Sequence, residues 1–311
     1  MGNSNNNVVD ANRINDYVLD CDIPRVKEVF KYNYYVESYA RFYRTILYNV
    51  QNADMIRTLL EYQPIREHCL EYEYELLNYT PLMNAITLSN CDRVRAFLDC
   101  GADVNHSVNK YDDVQSPLST VLHTIHADIL FSDHRNSSYE ILELLLQNGA
   151  DPNLPTYTGN RSSHFTSHLE HALYFCSSRS IKILLKHSAK VVAFSSIFVV
   201  IRTKHDKVEK LKLLLAYGGK ICVDADLFVQ ILNNCEYEMM EIIFAYTSKF
   251  LFYKYDVPLH IVEKDWKIER LLAVVCPQSF PYKDHTLFDI LTVHLRLEDI
   301  RNEISALTSS S

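Results

Sequence analysis

The stretch TPLMNAITLSNCDRVRAFLDCGADVN, running from Thr80 to Asn105, decides how the rest of the chain is read. Thr80 is placed to cap a helix whose first position is Pro81, where a missing N–H costs nothing. Leu82, Ala85 and Ile86 then fall on one face at helical spacing, and Ala85 is small enough to let a neighbour approach. Val94, Phe97 and Leu98 make a second apolar stripe, and Gly101 supplies the left-handed stop behind it. Two short antiparallel helices cannot bury both stripes alone, so such a unit must stack on copies of itself.

The opening Thr80-Pro81-Leu82-Met83-Asn84-Ala85 resembles the TPLH-x-A signature of the ankyrin repeat, with Met83 where the signature has His. The ending, from Phe97 and Leu98 to Gly101-Ala102-Asp103-Val104-Asn105, resembles the LL-xx-GADVN close of the same family. Working outward, residues 12–32 and 41–62 read as degenerate first and second units. The Tyr- and Glu-rich stretch 63–79 reads as an extended finger loop. A fourth unit opens at Ser116-Pro117-Leu118 and closes at Gly149-Ala150-Asp151-Pro152-Asn153, with an insertion around 127–138 between its helices. A fifth runs from Ser167-His168-Leu169 to Leu184-Leu185-Lys186-His187-Ser188-Ala189, where Ser188 replaces the usual Gly. Residues 193–219 and 226–247 give two more, and Val257-Pro258-Leu259-His260 opens the last, which ends near Cys276. The resemblance therefore implies an all-α ankyrin-repeat solenoid of about eight helix-turn-helix units with long finger loops. The organisation expected is a polar tail at 1–11, the array at 12–276, a C-terminal segment at 277–307 and a short tail at 308–311.

Composition supports a folded chain. Of 311 residues 48% are hydrophobic and 12% aromatic, with only 6 Gly and 9 Pro, which excludes a disordered or low-complexity protein. The formal charge of -8 argues against nucleic acid and against an anionic membrane surface as partners. The 8 cysteines are scattered without a CxxC pair, as expected of reduced thiols in the cytoplasm or the nucleus. No apolar run of membrane-spanning length is present.

The function classes narrow in the same way. No nucleophile elbow, phosphate loop, HExxH or dinucleotide fingerprint occurs, so neither an enzyme nor a cofactor is expected. His164, His168 and His171 share a helical spacing with zinc sites, but Ser167 caps the helix after His164; no metal is expected, and His168 and His171 are read as exposed or binding-surface residues. The basic run Arg202, Lys204, Lys207, Lys210 and Lys212 is read as a solvated face.

What the resemblance implies instead is a scaffold that binds a protein or peptide through its concave groove and finger loops. The helix-end residues Thr87, Leu88, His123, Thr124, Tyr174 and Phe175 occupy groove-facing positions in such arrays, joined by His171 and by the loop residues Tyr111 and Tyr157. The segment Thr286–Leu295 is similar to the elongin-binding helix of SOCS-box proteins, with Leu287, Leu291 and Leu295 as its contact residues and Leu291 replacing the usual Cys. That similarity implies a substrate adaptor of a cullin-RING ubiquitin ligase, the alternative being a helix pair that only caps the array. Asn105 and Asn153, each seven residues after a leucine, resemble ankyrin asparagines modified by the cytosolic asparaginyl hydroxylase. No feature of the sequence fixes an oligomeric state.

Overall fold

A computed structural model describes residues 11–31, 46–73, 79–110, 113–131, 136–155, 167–191, 199–203, 205–234, 237–251, 266–275 and 287–309. They fall into two compact units, Met1–His168 and Leu169–Ser311.

In the first unit α1 (Ala11–Leu19) and α2 (Ile23–Lys31) form a hairpin, and residues 46–49, which are helical, precede α3 (Ala53–Glu61). Asn52 caps α3 by accepting from the backbone N–H groups of Asp54 and Met55. The stretch expected as a finger loop contains a further helix, α4 (Gln63–Cys69), which begins with Pro64 in its first turn and buries Ile65 and Cys69. The central hairpin is α5 (Pro81–Thr87) and α6 (Cys91–Asp99). The Thr80 hydroxyl accepts from the Met83 N–H at 3.3 Å, so Thr80 caps α5 as the sequence requires. Met83 is fully buried, which explains how an apolar side chain replaces the signature histidine.

At the end of α6, Gly101 has φ 90 and the Ala102 N–H reaches back to the Phe97 carbonyl at 3.0 Å. A side chain resists that φ, so glycine closes the helix at least cost. A short antiparallel hairpin, β1 (Val108–Lys110) and β2 (Asp113–Gln115), leads into α7 (Pro117–Leu130) and α8 (Asn136–Gln147). The insertion expected around 127–138 is thus largely helical: α7 runs to Leu130 and α8 starts at Asn136. Helices α5 and α7 pack side by side, as do α3, α6 and α8 in sequence, forming an inner and an outer layer. Ion pairs step along the outer layer from Lys27 to Glu61, from Arg57 to Asp99 and from Arg95 to Glu140. Exposed pairs of this kind contribute little individually.

The second unit continues with α9 (His168–Phe175), opened by the last residue of the first, and α10 (Ser178–Lys186). Ser188 closes α10 in a left-handed conformation, φ 65, with the same pair of backbone bonds that Gly101 makes. Helix α11 (Lys207–Ala216) is followed by β3 (Ile221–Asp224), α12 (Ala225–Asn234), α13 (Tyr237–Tyr246) and β4 (Thr247–Leu251). Strands β3 and β4 pair in parallel, a ladder that apolar periodicity did not announce. Lys210 belonged to the run expected to be solvated; it is buried, and its ammonium donates to the Leu173 carbonyl at 3.0 Å near the end of α9. Helix C-termini leave carbonyls without partners, and a cation there satisfies one of them.

Past α14 (Trp266–Val275), α15 (Leu287–Ser309) is one continuous helix where a pair was expected. Val293, Leu297, Ile300 and Ile304 form its buried stripe, and it packs on α11, α13 and α14. Arg301 Nε donates to the Ala245 carbonyl at 2.7 Å while the Tyr246 hydroxyl donates to the Arg301 carbonyl at 3.1 Å, clasping α15 to the end of α13.

Candidate interaction groove

The first unit holds a groove at the exposed ends of its inner helices. Its floor is built on α7, where Thr120, His123, Thr124 and Ala127 share one face at helical spacing. Thr87 enters from the end of α5, Gln115 from β2 and Tyr79 from the segment before α5, enclosing about 260 Å³. Tyr79 is held by the Tyr48 hydroxyl, which lies against the carbonyls of both Tyr72 and Tyr79. The Tyr48 carbonyl in turn accepts from Asn84 Nδ2 and from Arg93 Nη2, both at 3.3 Å. Arg93 is fully buried and burial lowers its pKa; it also donates to the Leu47 carbonyl and to Gln51. Carbonyls and one amide are thus its partners among the described residues, an arrangement that ties residues 46–49 to α6.

The described lining of the groove is uncharged, and its polar groups are threonine hydroxyls, an amide, a phenol and an imidazole. The hydroxyls of Thr87 and Thr124 donate to the carbonyls of Met83 and Thr120, each at 3.0 Å, and that of Thr120 donates to Ser116 at 2.8 Å. His123 Nδ1 bonds the Ser119 carbonyl at 2.8 Å. Burial, with His123 nearby, holds His126 below the ordinary histidine range. None of the described lining residues carries a permanent charge.

Thr87, His123 and Thr124, expected as binding residues, are brought together here, and Leu88 follows Thr87 at the rim with half of its surface exposed. Tyr79, Gln115, Thr120 and Ala127 were not anticipated; only Thr120 and Ala127 carried a signal, their register with Thr124 on α7. Tyr111 and Tyr157 lie outside the described residues, as does His164. In the second unit, Tyr174 is exposed and meets Phe175 edge-on at 4.8 Å. His171 is a correction: it is buried, with Phe175 tilted against its ring at 5.0 Å, and presents no surface to a partner.

His168 is the other corrected histidine. It stands where the third and fourth units have proline, and it is buried. Its Nε2 lies 3.2 Å from the Ser116 hydroxyl and its Nδ1 lies 3.2 Å from the Pro152 carbonyl. A serine, a histidine and an acceptor in line invite comparison with a hydrolytic dyad. Ser116, however, is itself buried and caps α7 through the Ser119 N–H, so its hydroxyl serves as a structural link. Desolvation pushes the His168 pKa down to about 4.

Asn105 joins two successive loops, its Nδ2 donating to Gly149 at 3.0 Å and its Oδ1 accepting from the Asp151 N–H at 2.8 Å. On α15, Leu291 and Leu295 are exposed on the side opposite the buried stripe, while the side chain of Leu287 lies outside the described residues. Among the described residues no group of three or more His, Cys, Asp and Glu is arranged to hold a metal ion, and no helix is long and apolar enough to cross a membrane.

The ankyrin repeat family profile matches residues 77–106 and again 119–157. No curated protein matches the chain. Among solved structures, the chain is similar to the ankyrin repeat domain of Bcl-3, a member of the IkappaB protein family, at 19% identity and a TM-score of 0.50, covering 67% of this chain and 86% of that one. An ankyrin repeat domain from Acinetobacter baumannii AYE aligns at 18% identity over 58% of this chain and all of its own, with a TM-score of 0.33 that carries no weight. At such identities the likeness concerns the fold. Residues 77–106 and 119–157 are ankyrin repeats, and the all-α repeat solenoid that carries them has the ankyrin-repeat fold.

Proposed function

We propose that this chain is an interaction scaffold that takes a partner protein or peptide in the groove of α5 and α7. The observation that supports it is the convergence of Tyr79, Thr87, Gln115, His123 and Thr124 on one open cavity at the ends of the inner helices. Affinity capture with the full chain tests the reading against a variant carrying Thr87→Asp and His123→Asp. Both positions are exposed, so the variant should fold, and a partner held by the wild type should be lost. Equal capture by the two proteins overturns the groove as the binding site.

A second reading, the ligase adaptor, draws support from α15. Leu291 and Leu295 sit one turn apart, 51% and 62% exposed, although the helix already buries four other apolar residues. An elongin pull-down with wild type and with Leu291→Asp plus Leu295→Asp decides it. Retention that the double variant abolishes supports the adaptor, and absence of retention by the wild type removes it.

A further inference from the structure

We propose that the groove of the first unit selects a short extended segment of a partner protein, with an uncharged polar side chain and an apolar one three residues along. This rests on the groove reading above and specifies the partner's chemistry.

The length of α7 comes first. Helix α5 has 7 residues and α7 has 14, and both begin at proline, so α7 continues about two turns beyond its neighbour. Thr120, Thr124, Ala127 and Phe131 follow one another at steps of four, three and four, which keeps all of them on one face. Phe131 therefore continues the groove-lining stripe past the end of α5, and it is 80% exposed. Leu130 beside it is 63% exposed and Leu88, at the end of α5, 50%. Isolated exposed leucines are ordinary, but an aromatic ring aligned with a groove is an anchor point for an apolar side chain.

The cavity itself asks for something else. Thr87, Thr120 and Thr124 already spend their hydroxyl protons on their own helices, so the lone pairs they offer are acceptors. Gln115 and Tyr79 bring groups that both donate and accept. An amide or hydroxyl side chain matches that set, its N–H or O–H meeting the threonines and its oxygen meeting Gln115 or Tyr79. A charged side chain does not, because among the described residues no lysine, arginine, aspartate or glutamate lines the cavity. Asp128, the carboxylate of α7, accepts the Ser138 hydroxyl. A charge brought in would lose hydration without gaining a partner.

The register follows from helix geometry. Thr124 and Phe131 are seven residues apart, about 10 Å along the axis at 1.5 Å per residue. Extended chain rises about 3.3 Å per residue, so three residues span the distance.

The test is a degenerate peptide library passed over the immobilised full-length chain, with the retained pool sequenced. The expected pool carries Asn, Gln, Ser or Thr at one position, an aromatic or aliphatic residue three positions on, and few charged residues at the first. Phe131→Ala, with an unchanged melting curve, should cut retention about tenfold and erase the apolar preference alone. Charged residues enriched at the first position, or a pool indifferent to Phe131→Ala, overturn the inference. If that pool is nevertheless lost in Thr87→Asp, the groove reading survives while the segment chemistry fails. A wild-type chain that retains no peptide, or a pool indifferent to both variants, overturns both.

Discussion

Lowering the pH from 7 to 5 should weaken the first unit through one side chain, His168. In the folded chain its ring is buried and neutral, accepting from the Ser116 hydroxyl and donating to the Pro152 carbonyl. Desolvation is the dominant cause of the fall in its pKa from 6.5 to about 4; His123 lowers it further, while the Pro152 bond and Asp151 oppose the shift. Between those two values the unfolded chain binds a proton that the folded chain refuses. Stability therefore rises with pH: the contribution is fully present above about 6.5 and is lost as pH falls towards 4. The whole shift is worth about 3 kcal/mol, and the part spent between pH 7 and pH 5 is about 2 kcal/mol.

Urea unfolding at both pH values, followed by circular dichroism, reads this directly when set against His168→Asn. Asparagine keeps a donor near the Pro152 carbonyl but cannot titrate. The variant should be less stable at pH 7 and should lose about 2 kcal/mol less than the wild type on going to pH 5. His126, also held low, titrates in both proteins and cancels in the difference. If wild type and variant show the same pH dependence, His168 is not the acid-sensitive group and the desolvation argument fails.

Ser188→Gly should raise stability by about 0.5–1 kcal/mol, because φ 65 strains any side chain there; a loss would show that the serine is anchored by more than its turn. Tyr48→Phe should cost about 1–2 kcal/mol in urea unfolding, since it removes the donor shared by the Tyr72 and Tyr79 carbonyls. Leu297→Ala should cost about 2–4 kcal/mol and release α15, whereas Leu295→Ala on the exposed side should stay within about 0.5 kcal/mol; equal effects would refute the docking face.

The hairpin of α5 and α6 was legible because each of its ends is written in local chemistry: Thr80 and Pro81 at one, Gly101 at the other. The same holds where Ser116 and Pro117 open α7 and Gly149 closes α8. Helix α4 was missed because Tyr and Glu dominate the stretch around it, although Pro64, Ile65 and Cys69 carry a start and a buried face. The buried roles of His168 and Lys210 could not be read locally. Their partners, Pro152 and Leu173, are backbone carbonyls that come near only once units stack. The groove divides along the same line. Thr87, His123 and Thr124 sit at repeat positions and were named, while Tyr79 and Gln115 arrive from loops that no periodicity governs.

The second half of α7 separates what folding requires from what it leaves over. The seven residues of α5 suffice to bury Leu82, Met83, Ala85 and Ile86. In α7 the first turns bury Leu118, Val121, Leu122 and Ile125, and the helix then continues with Ala127 and Leu130, capped by Phe131, at or near the surface. Those last residues add little to the core, and a ring 80% exposed leaves apolar area in water in the folded chain as in the unfolded one. Truncating it should change stability by no more than about 0.5 kcal/mol. A change of partner affinity without a change of melting temperature in Phe131→Ala would then assign the extension to binding. A loss of stability above about 1 kcal/mol would assign it to the fold, and the groove would end at Ala127.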